Sequence, residues 1–121
     1  MTKVVINSEY GGFGLSDEAF EKLLDRKGIA WEKQTNSYGT AIDYYHAGHL
    51  DDDAYYLSYY DFFDYDNRAD PDLVAIVEAL GKKSWGQYAV LKIVDIPDDV
   101  KWHIEEYDGL EHVAEDHRIW D

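Results

Sequence analysis

A small α+β fold is what this chain predicts: a single domain over residues 1–121, with an antiparallel-rich sheet, two helices packed on one face and a C-terminal β-hairpin. Three observations carry that reading. Residues 87–96, QYAVLKIVDI, place Tyr88, Val90, Val94 and Ile96 on one side of a strand and Ala89, Leu91 and Ile93 on the other, as expected of a central sheet strand. Two apolar stripes at helical spacing each follow a good capping residue. Asp108-Gly109 sits between two strand-like runs as a two-residue hairpin turn.

The first element, KVVIN at residues 3–7, is a β-branched run that reads as a buried strand. It enters Tyr10-Gly11-Gly12-Phe13-Gly14, and then Ser16 caps a helix whose first turn holds Asp17 and Glu18. Leu15 staples against Phe20; Phe20, Leu23 and Leu24 face inward, and Gly28 ends the helix. A strand, a glycine-rich turn and a helix start can cradle a phosphate. Against that, the turn fits neither the dinucleotide fingerprint nor the P-loop, and two acids stand where an anion would lie. The alternative is a tight connection in which Tyr10 and Phe13 pack over the core.

Residues 29–31 and 41–45 are candidate strands joined across residues 36–39. His46 and His49, followed by Asp51, Asp52 and Asp53, have the residue types of a zinc site, but Gly48 and the aspartate run read as a solvated loop, and no metal is assigned. Residues 54–63, AYYLSYYDFF, are the most aromatic segment and read as a partly buried strand followed by a loop. Between residues 51 and 72 there are eight aspartates against Arg68 alone. Asp64-Tyr65-Asp66-Asn67 lacks the glycine and closing glutamate of a calcium loop. Tyrosine interleaved with aspartate also has what a phosphate-mimicking contact face needs: spaced negative charge and rigid aromatic area. Its residues are Tyr59, Tyr60, Asp61, Asp64, Tyr65 and Asp66.

Asp70-Pro71 opens the second helix, Leu73, Val74, Val77 and Leu80 line one face, and Gly81 stops it. Lys82 to Gly86 make a short basic turn, and Pro97-Asp98-Asp99 breaks the strand that follows. In the hairpin over residues 100–120, setting Tyr107 opposite Leu110 puts Ile104 opposite Val113, Trp102 opposite Glu115 and Glu105 opposite His112. Glu106 then faces Glu111, a like-charge pair that calls for either an exposed tip or a bound cation. His117, Arg118 and Trp120 close the chain, as an anion-holding cluster or a structural ion pair.

Composition bounds the function. The 45% hydrophobic and 16% aromatic content supplies a core, so the net charge of −15 does not imply disorder. Eleven Lys and Arg against 26 Asp and Glu argue against direct binding to nucleic acid, whose affinity rests on cationic contacts. With no cysteine, thiolate catalysis and disulfides are excluded. No leader or membrane-length apolar run is visible, so a cytoplasmic protein is expected. No catalytic residues and no cofactor are assigned, since no nucleophile or acid–base constellation stands out. Exposed Tyr and Trp would suit a homo-oligomer.

Both ends of the chain resemble a family of small proteins from tailed bacteriophages and prophages. The residues that carry the likeness are KVVIN at 3–7 with YGGFGLS at 10–16, then Arg68, Asp70-Pro71, Leu73-Val74, Glu78, Leu80-Gly81, Ala89 and Leu91-Lys92, and finally Ile96-Pro97-Asp98-Asp99-Val100, Trp102, Ile104, Glu106-Tyr107-Asp108-Gly109, Val113-Ala114-Glu115, His117-Arg118 and Trp120. The likeness covers the first 28 residues and residues 68 onward; residues 31–67 fall outside it. The family carries no established activity, so no site residue carries over. What the resemblance implies is an accessory protein in the cytosol of an infected bacterium, of the kind that inhibits restriction, CRISPR or other defence systems by stoichiometric binding or that sequesters nucleotide signals.

Two functional expectations follow. The first is a non-enzymatic binder that blocks a basic, nucleic-acid-binding host defence protein through the Tyr/Asp face. The second is a sponge for a nucleotide-type small molecule, using Tyr10, Gly11, Gly12, Phe13, Arg68, Lys82, Tyr107, His117 and Arg118.

Overall fold

The computed structural model describes residues 1–35, 39 and 41–115. Strand β1, Thr2–Asn7, buries its last four residues, as its β-branched sequence demands. Helix α1, Asp17–Arg26, begins where Ser16 accepts a hydrogen bond from the Ala19 N–H at 3.1 Å and donates its own hydroxyl to the Lys83 carbonyl at 2.6 Å. That double use ties the helix start to a distant turn. The helix buries Ala19, Phe20, Leu23 and Leu24, and Gly28 follows it at φ +75°.

Strands β2, Trp31–Thr35, and β3, Ile42–His46, pair antiparallel, with Tyr44 fully buried beneath them. The expected strand over residues 54–63 does not form. In its place stand a 3-10 turn, Asp53–Tyr55, a single bridge between Tyr56 and Tyr45, the one-turn helix α2, Tyr60–Phe63, and a second 3-10 turn, Tyr65–Asn67. Side-chain direction explains the difference. Tyr59 and Phe62, three residues apart, both pack on Phe20, at centroid separations of 4.4 and 5.4 Å. A strand would send them to opposite faces, whereas a helical turn points them the same way.

Helix α3, Pro71–Leu80, is capped by Asp70, whose carboxylate accepts from the Asp72 N–H at 3.0 Å, and it ends at Gly81, where φ is +56°. A 3-10 turn, Gly81–Ser84, follows, and Trp85 bridges back to Leu15. Strand β4, Leu91–Ile96, pairs antiparallel with β1 in the register Val4 to Val94. Strands β5, Trp102–Tyr107, and β6, Leu110–Glu115, form the hairpin in the register the turn predicts, with Ile104 opposite Val113 and Glu106 opposite Glu111.

The α+β class holds, but the central strand is corrected. Strand structure covers only residues 91–96 of the expected 87–96; residues 87 and 88 form a turn, residues 89 and 90 are irregular, and Tyr88 is 67% exposed. Strand β4 has one partner, and the described strands associate in three separate pairs, β1–β4, β2–β3 and β5–β6. Two features cut the strand short. Gly86 and Gly14 meet backbone to backbone, with the Gly86 N–H on the Gly14 carbonyl at 2.9 Å, and the Asn7 side chain takes the Val90 N–H at 2.9 Å in place of a further ladder bond. Exposed Lys92 and Asp95 also make β4 less apolar than its flanks implied.

The core lies between the helices and β1 and β3: Val5, Phe20, Leu23, Leu24, Tyr44, Leu57, Leu73, Val77 and Leu91 belong to one cluster. Burial, and then the hydrogen bond it donates to Glu21 at 2.7 Å, push the Tyr44 phenol well above its ordinary value. Burial and the nearby Asp17 carboxylate push Tyr59 up as well. Among the described residues no helix is long and apolar enough to cross a membrane.

Because both phenols are raised in the folded state, the fold binds their protons more tightly than the unfolded chain does. Their stabilising contribution is therefore complete below about pH 10 and is lost as pH rises above it. Urea unfolding between about pH 8 and about pH 11 should show stability falling on the alkaline side, less steeply in a Tyr44→Phe/Tyr59→Phe double variant. Equal slopes for the two proteins would contradict the assignment.

Candidate functional site

The connection after β1, the end of α2 and the tip of the β5–β6 hairpin meet around a cleft of about 330 Å³ lined by Gly12, Phe13, Tyr60, Phe63, Asp64, Tyr65, Arg68, Glu106, Gly109 and Glu111. Arg68 organises it. Its guanidinium is buried, with two nitrogens on the two Glu111 carboxylate oxygens at 2.5 and 2.9 Å. Its Nε donates to the Phe63 carbonyl at 2.6 Å and Nη1 also reaches the Val5 carbonyl at 3.4 Å. The Phe13 ring covers the cation at 3.6 Å, and Tyr65 lies 5.4 Å from it. Glu111 is 5% exposed and accepts a third hydrogen bond, from the Asn7 N–H at 2.8 Å. The like-charge pairing of Glu106 and Glu111 is thus answered by a cation from within the chain, and only Glu106 lies exposed at the tip.

Asn7, fully buried, fastens the tip to the rest. Its side-chain amide donates to the carbonyls of Gly109 and Glu9, both at 2.7 Å, while its oxygen accepts from Val90 and Glu9. The Gly11 N–H reaches the Asp108 carbonyl at 3.1 Å. A Cβ at Gly109 would run into the Gly12 backbone nitrogen and come within 2.7 Å of the Gly12 Cα. The glycine turn therefore has a structural use: it lets the hairpin tip dock backbone against backbone. The start of α1, with Ser16 as its cap and Asp17 and Glu18 in its first turn, is occupied by its own side chains.

The residues expected to bind a protein partner divide. Tyr60 (76% exposed), Asp61, Asp64, Tyr65 and Asp66 lie at the surface, and Tyr60, Asp64 and Tyr65 line the cleft. Tyr59 does not belong to that face: it is half-buried on Phe20, with its hydroxyl 3.5 Å from Asp17. The residues expected to bind a nucleotide are scattered further. Gly12, Phe13 and Arg68 share the cleft, but Gly11 packs beside Tyr88, Lys82 is exposed in the turn after α3, and Tyr107 is exposed at the hairpin tip. Tyr10 is 56% exposed and does not cover the core; Phe13 does, against Phe63 at 5.0 Å. His117 and Arg118 lie outside the described residues.

Sequence reasoning did not assign Asn7, Phe63 or Gly109 to the site and did not foresee the burial of Glu111. A signal for the last was present, since a facing glutamate pair asks for a cation and Arg68 is the one basic residue between Asp51 and Asp72. The electrostatics of the cleft follow from this pairing. Arg68 and Glu111 cancel, leaving Asp64 and Glu106 to set a negative sign at the mouth. Burial, and then the charges of Glu111 and Glu106, raise the Tyr65 phenol, with Arg68 opposing them. Elsewhere, His103 and His112 both contact Glu105 on the exposed hairpin face and lower its pKa. No group of His, Asp and Glu among the described residues has the arrangement of a metal site. No family model, curated protein or solved structure matches the chain.

Breaking a buried ion pair from one side leaves the other charge stranded, at a cost of about 3–5 kcal/mol. Glu111→Gln should therefore lower the free energy of unfolding in urea by about 3 kcal/mol or more, and Arg68→Met added to it should restore at least half of the loss. A loss below about 1 kcal/mol for the single variant would show that the pair is not desolvated as described.

Proposed function

We propose that the chain acts without catalysis, as a stoichiometric binder of a basic protein, through the acidic aromatic face formed by Tyr60, Asp61, Asp64, Tyr65, Asp66 and Glu106. One observation carries the reading. All six are exposed, and four of them, Tyr60, Asp64, Tyr65 and Glu106, line the cleft, while Arg68 is buried and neutralised by Glu111. Such a face attracts and orients a basic partner at long range, and its tyrosines add contact area at low entropic cost. The resemblance at the two ends of the chain supplies the setting: a phage-type accessory protein in the host cytosol, with a nucleic-acid-binding defence protein as the target whose phosphate-binding surface it would occupy. Nucleic acid itself, and membranes, are not proposed as partners of so acidic a chain.

The nucleotide-sponge reading has less support. Gly12, Phe13 and Arg68 do converge, but an anionic ligand would meet Asp64 and Glu106 at the mouth and a guanidinium already committed to Glu111 and two backbone carbonyls.

Capture from bacterial lysate by the tagged chain, compared with an Asp61→Lys/Asp64→Lys/Asp66→Lys variant, tests the proposal. The expected result is a basic nucleic-acid-binding protein in near-equimolar amount, released at about 1 M salt, where the Debye length falls to about 3 Å, and absent with the variant. Undiminished capture by the variant would remove the acidic face from the account.

A further inference from the structure

The cleft has features that narrow the chemistry of what enters it. Its walls carry four aromatic side chains, Phe13, Tyr60, Phe63 and Tyr65, and its mouth carries Asp64 and Glu106. Both carboxylates are held in place by one oxygen. Glu106 Oε1 accepts the Gly109 N–H at 2.5 Å and Asp64 Oδ1 accepts the Asn67 side-chain amide at 2.8 Å. The second oxygen of each has no partner among the described residues. Aromatic faces beside pre-oriented carboxylates favour a cation, since the ring quadrupole and the carboxylate charge act in the same direction. An apolar guest would strip water from the two carboxylates and return no hydrogen bond. An anion would be repelled.

We propose that this cleft seats one arginine side chain of the partner, with its guanidinium against the aromatic walls and paired with Glu106 and Asp64. The proposal rests on the acidic-face reading and names the group that anchors it. Arginine is favoured over lysine because a planar guanidinium can lie on a ring while donating two bonds to a carboxylate. The same walls already hold one guanidinium in that manner, Arg68 over Phe13 at 3.6 Å. A basic nucleic-acid-binding surface supplies such arginines as its phosphate contacts, so the occupied cleft would take one of them away from its phosphate.

The test is an amide NMR titration of the full chain with the peptide acetyl-Gly-Arg-Gly-amide, alongside its lysine and citrulline counterparts. The arginine peptide should shift the amides of Gly12, Tyr65 and Gly109 saturably, the lysine peptide should bind at least about threefold more weakly, and citrulline, which keeps the shape without the charge, should not bind. Glu106→Gln, which keeps an acceptor for Gly109, and Tyr65→Ala should each weaken arginine binding about threefold or more, and Tyr65→Phe should not. Equal shifts from citrulline, equal shifts at Asp51 to Asp53, or an unaltered Glu106→Gln variant would overturn the inference. Should those results appear while salt-sensitive capture still depends on Asp61, Asp64 and Asp66, the arginine seat falls and the acidic-face reading stands.

Discussion

A buried ion pair between Arg68 and Glu111 ties distant parts of the chain into one body. It brings together the end of α2 through the Phe63 carbonyl, β1 through Val5 and Asn7, and β6 through Glu111 itself. Each charge gives up water, so the arrangement holds only because the carboxylate is met by both guanidinium nitrogens and by the Asn7 N–H. A single misplaced partner would leave a charge unpaired in the interior. The geometry of the inner cleft, at Phe63, Arg68 and Glu111, is therefore tied to the stability of the fold.

That constraint compensates for a sheet that is never continuous. The three described strand pairs, each alone, would be marginal in water. Two devices join them. The helices α1 and α3 supply the apolar mass into which β1 and β3 are buried, and the Asn7 side chain bonds to Val90 and Gly109, linking the β1–β4 pair to the hairpin tip. The paired glycines at 12 and 109 permit the backbone approach that this linkage requires.

Much of the fold was legible because its signals are local. Ser16 and Asp70 announce their helices, Gly28 and Gly81 end them, and Asp108-Gly109 sets a register that the hairpin follows residue by residue. The misread parts share a different cause. Residues 87–90 carry apolar side chains like those of a strand, but the Gly14–Gly86 contact and the Asn7 amide, both distant in sequence, turn them away. The segment from Ala54 to Phe63 has the aromatic richness of a strand, yet Tyr59 and Phe62 both answer to Phe20, which only the tertiary structure reveals. The site was half legible. Tyr60, Asp61, Asp64, Tyr65 and Asp66 are exposed, as a contact face requires, whereas the contact of Arg68 with Glu111, 43 residues apart, is signalled only indirectly, by the like-charge pairing of Glu111 with Glu106.

The sign of charge at the cleft decides what can enter it: a guanidinium lies in its wall, but acidic side chains stand at its mouth. Titration of the full chain with ADP, followed through the amides of Gly11, Gly12 and Phe13, tests it most directly. No saturable shift is expected up to about 5 mM, a concentration that would reveal any interaction stronger than about −3 kcal/mol. Saturable binding of ADP at that glycine turn would contradict it and return Arg68 to the role of a phosphate ligand.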